Sequence, residues 1–475
     1  MPDDLRILAL DLGTSSVRSA LYDRRGRCLA RTLAQKPVKL RSGADGAAEL
    51  DPPAVQRAIE GCIAATLAGQ RVPVAAIGIS CFWHSLIGVD AGGAALTPII
   101  TWADTRPAAA ARALRDELDE RATHARTGCM VRPSFWPAKL RWLAGAQPTT
   151  VRRVRRWLGP AEWLAARWTG VERASTAMAS GTGLFAHASR GWDPEIAAAA
   201  GVDPAALPVI DDAALTPTRL ARRFPLLAGA ALYPALGDGA AANLGSGAAR
   251  RGVGAITAGT SAAARLVVDD GATAPFGLFR YRVDPARTLI GGAVSNAGNV
   301  RAWCLRELRI DDGPALERAL RARPGPSPLL AAPYLHGERA PLWRDDVSAA
   351  IAGFGGATTA LDLMHALTDA AWQRLAVIVE ALPGNERARF VVGGGIQRSP
   401  ATLQRLADVL GRTLHVCDEA ETSLRGAAVY AGERLGSHPP APATRPIAPR
   451  ARYADAYADQ RARLAAFETR LFAQG

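Results

Sequence analysis

The tripeptide Gly-Thr-Ser occurs twice in nearly the same setting, at Gly13-Thr14-Ser15 and Gly259-Thr260-Ser261, each after an apolar run and each before a β-prone stretch. The repeat, about half the chain apart, marks a duplicated fold with two related halves. The copies share the turn but not the charge: Ala9 to Arg18 carries a carboxylate, Asp11, and Ala255 to Ala264 carries none. A glycine-led turn between two strands presents backbone N–H groups and hydroxyls without side-chain obstruction, which suits phosphate oxygens. Two such turns can grip one polyphosphate from both sides, with Asp11 holding the metal that travels with it. Taken alone, two ordinary hairpin turns explain the pair equally well.

A chain of 475 residues is too long for one core and fits two domains plus a tail. The boundaries read as 1–244, 245–436 and 437–475. No apolar run approaches the ~18–20 residues of a membrane span, and the start, Met-Pro-Asp-Asp, leads straight into a strand with no signal peptide. A cytoplasmic protein with no membrane partner is therefore expected. Six cysteines lie far apart without a Cys-x-x-Cys pair, against a zinc site or disulfide framework. The net charge of +13 does not point to nucleic acid, because arginine supplies nearly all of it along the whole chain and Lys36, Lys39 and Lys139 are the only lysines. The same scarcity removes two nucleotide-binding schemes: no lysine follows glycine, as a Walker A loop requires, and no H-R-D loop is present.

The predicted elements of the first half are strands at Arg6 to Asp11, Val17 to Asp23 and Arg27 to Ala34, a helix over Pro53 to Ala68 opened by Asp51, and a buried strand at Val74 to Ser80. The second half repeats this with strands at Gly252 to Thr257, Ala263 to Val268 and Thr288 to Ala293, a helix near Asp362 to Leu382, and a short strand at Arg389 to Val392 running into Gly393-Gly394-Gly395. Ser-His-Pro-Pro-Ala-Pro-Ala after Gly436 reads as a stiff linker to a helix from Tyr453 to Phe472, packed on the body or on a partner.

Three segments carry chemistry. Leu236-Gly237-Asp238-Gly239-Ala240 sets a carboxylate between glycines, where it can meet a ligand closely on the floor of an interdomain cleft; capping a helix is the simpler role for such an Asp. Ser80-Cys81-Phe82-Trp83-His84-Ser85 and Ile100-Thr101-Trp102-Ala103-Asp104-Thr105-Arg106 are two strand ends with aromatic and polar groups, a pattern suited to a polyol pocket.

Together these segments resemble the FGGY family of carbohydrate kinases from about Ile7 to Gly432. Landmarks in family order are Asp-Leu-Gly-Thr-Ser at 11–15, the run at 100–106, Gly-Asp-Gly at 237–239, Ala-Gly-Thr-Ser at 258–261, Gly-Glu-Arg-Ala-Pro-Leu-Trp at 337–343, Val-Gly-Gly-Gly at 392–395 and Glu-Thr-Ser-Leu-Arg-Gly-Ala-Ala at 421–428. The resemblance implies an α/β chain with the duplicated actin/hexokinase-like (ribonuclease H-like) ATPase fold, two domains around a cleft, using ATP and Mg2+. It implies Asp238 as the base, Asp11 at the magnesium, and Thr14, Ser15, Arg18, Gly259 and Thr260 at the phosphates. Asn299, Gly394, Gly395 and Gln397 would then lie along the nucleoside, and Trp83, His84, Trp102 and Asp104 along the sugar. The motifs are closest to the gluconate kinase branch, which implies phosphorylation of the terminal hydroxyl of gluconate; xylulose kinases share His84 and Asp104, and glycerol kinases carry Arg-Glu in place of Trp83-His84. Trp83 departs from the methionine usual in the gluconate and xylulose branches and would reshape the pocket. For an anionic substrate, Arg132, Lys139 and Arg339 are the candidate cations. A homodimer is implied by resemblance only. The competing classes are a non-catalytic actin-like ATP-binding regulator and a ribokinase-type enzyme, whose Gly-Ala-Gly-Asp signature would lie toward the C-terminus.

Overall fold

A computed structural model describes residues 5–472. Met1–Asp4, on which the expectation of no signal peptide rests, lie outside the described residues. The first half is built on a sheet of β1 (Ile7–Leu12), β2 (Ser16–Tyr22), β3 (Ala34–Pro37), β4 (Ala76–Cys81), β5 (Ala231–Leu232) and β6 (Leu236–Gly237). Its order is β5-β4-β1-β2-β3, with β6 also on β4. β1 and β4 run parallel and are buried along their whole length, which is why both read as continuous apolar runs rather than alternating ones. Helix α1 (Pro52–Leu67) packs on β2 and β3 and starts where the Asp51 carboxylate accepts the Ala54 N–H at 3.1 Å.

The third strand forms later than the sequence predicts. Asp23 Oδ1 accepts the N–H groups of Arg25 and Arg27 and Gly26 takes φ +67°, so the turn forms as expected; but Cys28 makes only an isolated bridge to Tyr22. Thr32 Oγ1 then bonds Leu29 O and receives the Leu21 N–H, and Arg31 turns left-handed at φ +61°. That local turn ends the pairing, which resumes only at Ala34.

The second half repeats the plan. β7 (Val253–Ala258) and β8 (Ala262–Val268) form a hairpin like β1 and β2, followed by β9 (Phe279–Asp284), β10 (Arg287–Val294), β11 (Arg389–Gly393), β12 (Leu414–Cys417) and β13 (Thr444–Ile447). The order is β9-β10-β8-β7-β11-β12-β13, and β7 pairs with β11 in parallel as β1 does with β4. The sequence reading missed β9, although Phe-Arg-Tyr-Arg-Val alternates with the period of a strand.

Helix α2 (Asp238–Gly245) joins the halves, and α3 (Thr422–Arg434), late in the chain, packs on α2 and on β1 and β4 of the first half. Backbone meets backbone here: a Cβ on Gly245 would overlap Thr422 O, one on Gly426 would overlap Ala241 O, and one on Gly78 would overlap Ala427 O. Past Gly436 the chain adds β13 to the edge of the second sheet, and the closing helix, Ala454–Phe472, buries Tyr457, Gln460 and Leu464 against the body. All six cysteines are free, five of them buried, and no helix of the described residues is long and apolar enough to cross a membrane.

Candidate active site

Sheet register brings the two singled-out carboxylates to one place. Asp11 lies opposite Ser80 on β4, and Leu236 of β6 lies on the other side of Ser80. Asp11 and Asp238 therefore emerge at the same end of the sheet. Burial pushes the Asp11 carboxyl up to about 6, Arg18 opposing and the charges of Asp238 and Glu421 adding to the rise. Asp238 is the first residue of α2 and does not cap it; Gly237 holds that position, and among the described residues Asp238 Oδ1 accepts only the adjoining Gly239 N–H at 2.7 Å. Its carboxylate opens to the cleft, while the protein packed around it raises its pKa, with Arg265 pulling the other way.

The flanking glycines serve a different purpose from the one expected. Neither has positive φ. A Cβ on Gly237 would overlap ring atoms Cε2 and Cζ2 of Trp83, and one on Gly239 would lie 2.6 Å from Arg265 Nε and 2.9 Å from Trp83 Cζ3. The missing side chains make room for an indole and a guanidinium that close in around Asp238.

Three glycine turns stack in the second half. Gly298 N donates to Gly259 O at 3.0 Å and Asn299 N to Thr260 O at 3.0 Å, while Gly394, at φ +96°, sits so close to Ala258 that a Cβ would meet its carbonyl oxygen at 2.6 Å. A cavity of about 1350 Å3 opens against these turns, lined by Gly259, Thr260, Asn299 and Gly395, with Arg301 and Arg318 among its basic groups. Gly394 and Gln397 belong to the same turn without lining it. The Asn299 side chain is spent locally: Oδ1 accepts the N–H groups of Ala297 and Val300, and Nδ2 donates to Ser295 O. These bonds hold the turn in shape at the cavity wall. In the first half, Thr14 is partly exposed and Ser15 exposed. Arg18 is not free: its Nη1 lies 3.1 Å from Glu421 Oε2 and 3.5 Å from Asp11 Oδ2.

On the acceptor side, Trp83 is 5% exposed. Its Nε1 donates to Ala177 O at 3.1 Å, and its ring packs 4.8 Å from that of Tyr281. It is chiefly a buried wall behind Asp238. His84 has φ +66°, its Nδ1 bonds Gly181 O, and its ring meets Phe135 edge-on at 4.7 Å. Burial lowers its pKa to about 3, so the imidazole is neutral, carries its proton on Nδ1 and leaves Nε2 as an acceptor. Trp102 is 41% exposed and makes no ring contact with this cluster among the described residues. Asp104 departs from its expected place at a sugar hydroxyl: it is 1% exposed, accepts the Ala48 N–H, and pairs with Arg106, whose Nη2 lies 2.6 Å away. Its oxygens are occupied because the loop folds back on itself.

Lys139, one of the candidate cations, is fully buried. Its Nζ donates to His84 O at 2.6 Å and Ile100 O at 3.3 Å, stapling the two strand-end loops together. Burial lowers its pKa from 10.5 to about 7, Asp104 opposing. Between those values the unfolded chain binds the proton that the folded one gives up, so this lysine makes stability rise with pH by up to about 1.4 kcal/mol per pH unit. Lys139→Met is expected to remove that rise between about pH 7 and 10, read as the difference in denaturant midpoints between wild type and variant across the range.

Sequence reasoning missed Arg265 and Tyr281. Arg265 is the single charge in the Ala-Ala-Ala-Arg-Leu-Val-Val strand β8, a signal in itself; Tyr281 lies on the missed strand β9. Among the described residues no cluster of three side chains is arranged as a metal cage. Asp11 with Asp238 nearby fits instead the mode of a magnesium ion, which takes one or two carboxylates and completes its shell with water and phosphate.

Comparison with known proteins agrees with this geometry. The family model for the N-terminal domain of the FGGY family of carbohydrate kinases matches residues 6–245, and that for the C-terminal domain matches 254–433. The chain is similar to a gluconokinase of Bacillus subtilis, 28% identical over 91% of this chain and 88% of the relative, and to a xylulose kinase of Streptomyces rubiginosus, 30% identical over 92% and 90%. Its fold is like that of the gluconate kinase from Lactobacillus acidophilus, with a TM-score of 0.91 at 24% identity, covering 98% of each chain. With both halves of the duplicated sheet, the carboxylates at their junction and the two family models in the same order, the chain belongs to the FGGY family of carbohydrate kinases.

Proposed function

We propose that this protein transfers the γ-phosphoryl group of ATP to the terminal hydroxyl of gluconate, giving 6-phosphogluconate. The observation that carries the reading is the placement of Asp238 beside Asp11 at the mouth of the duplicated turns. The gluconokinase of Bacillus subtilis, similar along nearly the whole chain, supports the choice of acceptor.

Phosphoryl transfer passes through a loose transition state, so catalysis is mainly in-line positioning and neutralisation of charge. Asp238 accepts the proton of the attacking hydroxyl, which need leave only late, and its raised pKa brings it closer to the working pH. Asp11 would hold a Mg2+, which when bound would supply charge neutralisation on the phosphates. The Gly13-Thr14-Ser15 and Gly259-Thr260 turns face the phosphates, and the cavity beside Asn299 and Gly395 takes the nucleoside. Arg18 keeps Asp11 and Glu421 in place. The neutral His84 accepts a hydroxyl through Nε2, Trp83 backs the carbon chain, Trp102 reaches the acceptor from the second loop, and Asp104 with Lys139 fixes that loop. Closure of the halves keeps water from the γ-phosphate.

A ketopentose is the second reading, favoured by the 30% identity to the xylulose kinase. Both are tested by incubating the protein with Mg-ATP and D-gluconate, D-xylulose, L-ribulose, glycerol or erythritol. ADP release with gluconate above the others, and phosphate on its terminal carbon, is the expected result; preference for D-xylulose would replace the acceptor, and ATP binding without any phosphorylated product would return the protein to the regulator class.

A further inference from the structure

Strand β8 faces two ways. Ala262, Ala264 and Leu266 belong to the core of the second half, whereas Val267 packs into that of the first. Alternation puts Arg265 on the same side as Val267, facing the first half, where its Nε lies under Gly239. Its hydrogen bonding is poor for so enclosed a guanidinium: Nη1 reaches Thr257 Oγ1 at 3.4 Å, and Nε is buried without a partner. Asp238 is close enough to favour its charge, yet among the described residues the two form no ion pair. A second guanidinium, Arg339, stands near enough to be felt by Arg265 and by His84. Its Nη2 donates to Val294 O at 3.0 Å. The neighbouring Glu338 favours its charge, but Glu338 Oε1 is turned to the backbone N–H groups of Ser295 and Arg339 and the two side chains form no ion pair among the described residues. Among the described residues neither arginine is held in an ion pair, although Asp238 lies close to Arg265.

The other candidate cations are spent. Arg132 is paired with Glu120 and donates to the carbonyls of Val131 and Trp343, and Lys139 holds two loops together. A planar guanidinium with unused donors is the natural receiver of a carboxylate. Resting on the kinase reading above, we propose that Arg265, with Arg339 beside it, receives the carboxylate of an acidic acceptor and sets this site's preference for sugar acids over neutral polyols and ketoses.

The test compares kcat and KM for D-gluconate and D-xylulose in wild type, Arg265→Gln and Arg265→Lys. Losing a charged hydrogen bond of about 1.5–3 kcal/mol corresponds to roughly 10- to 150-fold. In Arg265→Gln, kcat/KM for gluconate is expected to fall at least about tenfold more than for xylulose, mainly through KM, with partial recovery in Arg265→Lys. Gluconate added without ATP is expected to raise the melting temperature of the wild type and not of Arg265→Gln, a readout independent of turnover. Equal losses with both acceptors, confined to kcat, would overturn the proposal and assign Arg265 to the transferring phosphoryl group or to Asp238. If the wild type phosphorylates xylulose and no sugar acid, the choice of gluconate fails with it; if the wild type prefers gluconate and Arg265→Gln keeps that preference, only the role of Arg265 fails.

Discussion

Asp238→Ala is expected to lower kcat by about 10²- to 10⁴-fold with little change in the binding of ATP. That is the range by which a positioned general base contributes, about 2.7–5.4 kcal/mol at 1.36 kcal/mol per decade. The loss belongs to the chemical step because, among the described residues, the Asp238 side chain makes no hydrogen bond beyond the Gly239 N–H next to it. The fold is expected to survive, since Asp238 is exposed to the cleft and the protein packed around it already disfavours the ionised carboxylate. Two measurements decide it: single-turnover formation of the phosphorylated acceptor, and the denaturation midpoint. Full turnover in the variant would mean that another group takes the proton; collapse of the midpoint would mean that the carboxylate is structural.

Gly237→Ala is expected to be among the most damaging single-methyl additions in the chain. The new Cβ would fall inside the Trp83 ring, and the indole has nowhere to go: its Nε1 is held by Ala177 O, Tyr281 lies against it, and Gly181 is so close that its own Cβ would overlap Cδ1. Overpacking of this kind costs about 1–3 kcal/mol, and more where no neighbour can yield. Trp83→Met in the same chain removes the obstacle, so the double variant is expected to recover most of the lost stability, a coupling measured by a double-mutant cycle in denaturant. Additive effects would show that the ring is free to move.

Much of this was legible in the chain. The glycine-led turns, the order of strands around them and the place of Asp238 at the junction follow from local chemistry: glycine where the backbone must turn or touch, apolar runs where a strand is buried on both faces. The uncertain parts were set by long-range packing. Asp104 and Trp83 carry the residue types of a sugar pocket, but whether Asp104 faces a hydroxyl or Arg106, and whether Trp83 lines the pocket or backs it, depends on residues far away in sequence, Ala48 and Ala177 among them. Arg265 was hidden for the same reason. On its strand it is one charge among apolar residues, and its meaning appears only when Gly239, 26 positions earlier, lies against it.

The helix Thr422–Arg434 has a bearing on how the protein is made. Leu424, Ala427, Ala428 and Tyr430 are part of the same core as Ile7, Leu10 and Ile79. The part of the N-terminal sheet that this helix covers therefore leaves the ribosome bare and stays so until about residue 434 has been added, 189 residues after Gly245 (434 − 245). At 5–20 residues per second, that is about 10–40 s of exposed apolar surface during synthesis. Such transiently exposed apolar surface is what chaperones guard, and a chain truncated after the junction helix is expected to accumulate as an unfinished sheet rather than as a domain.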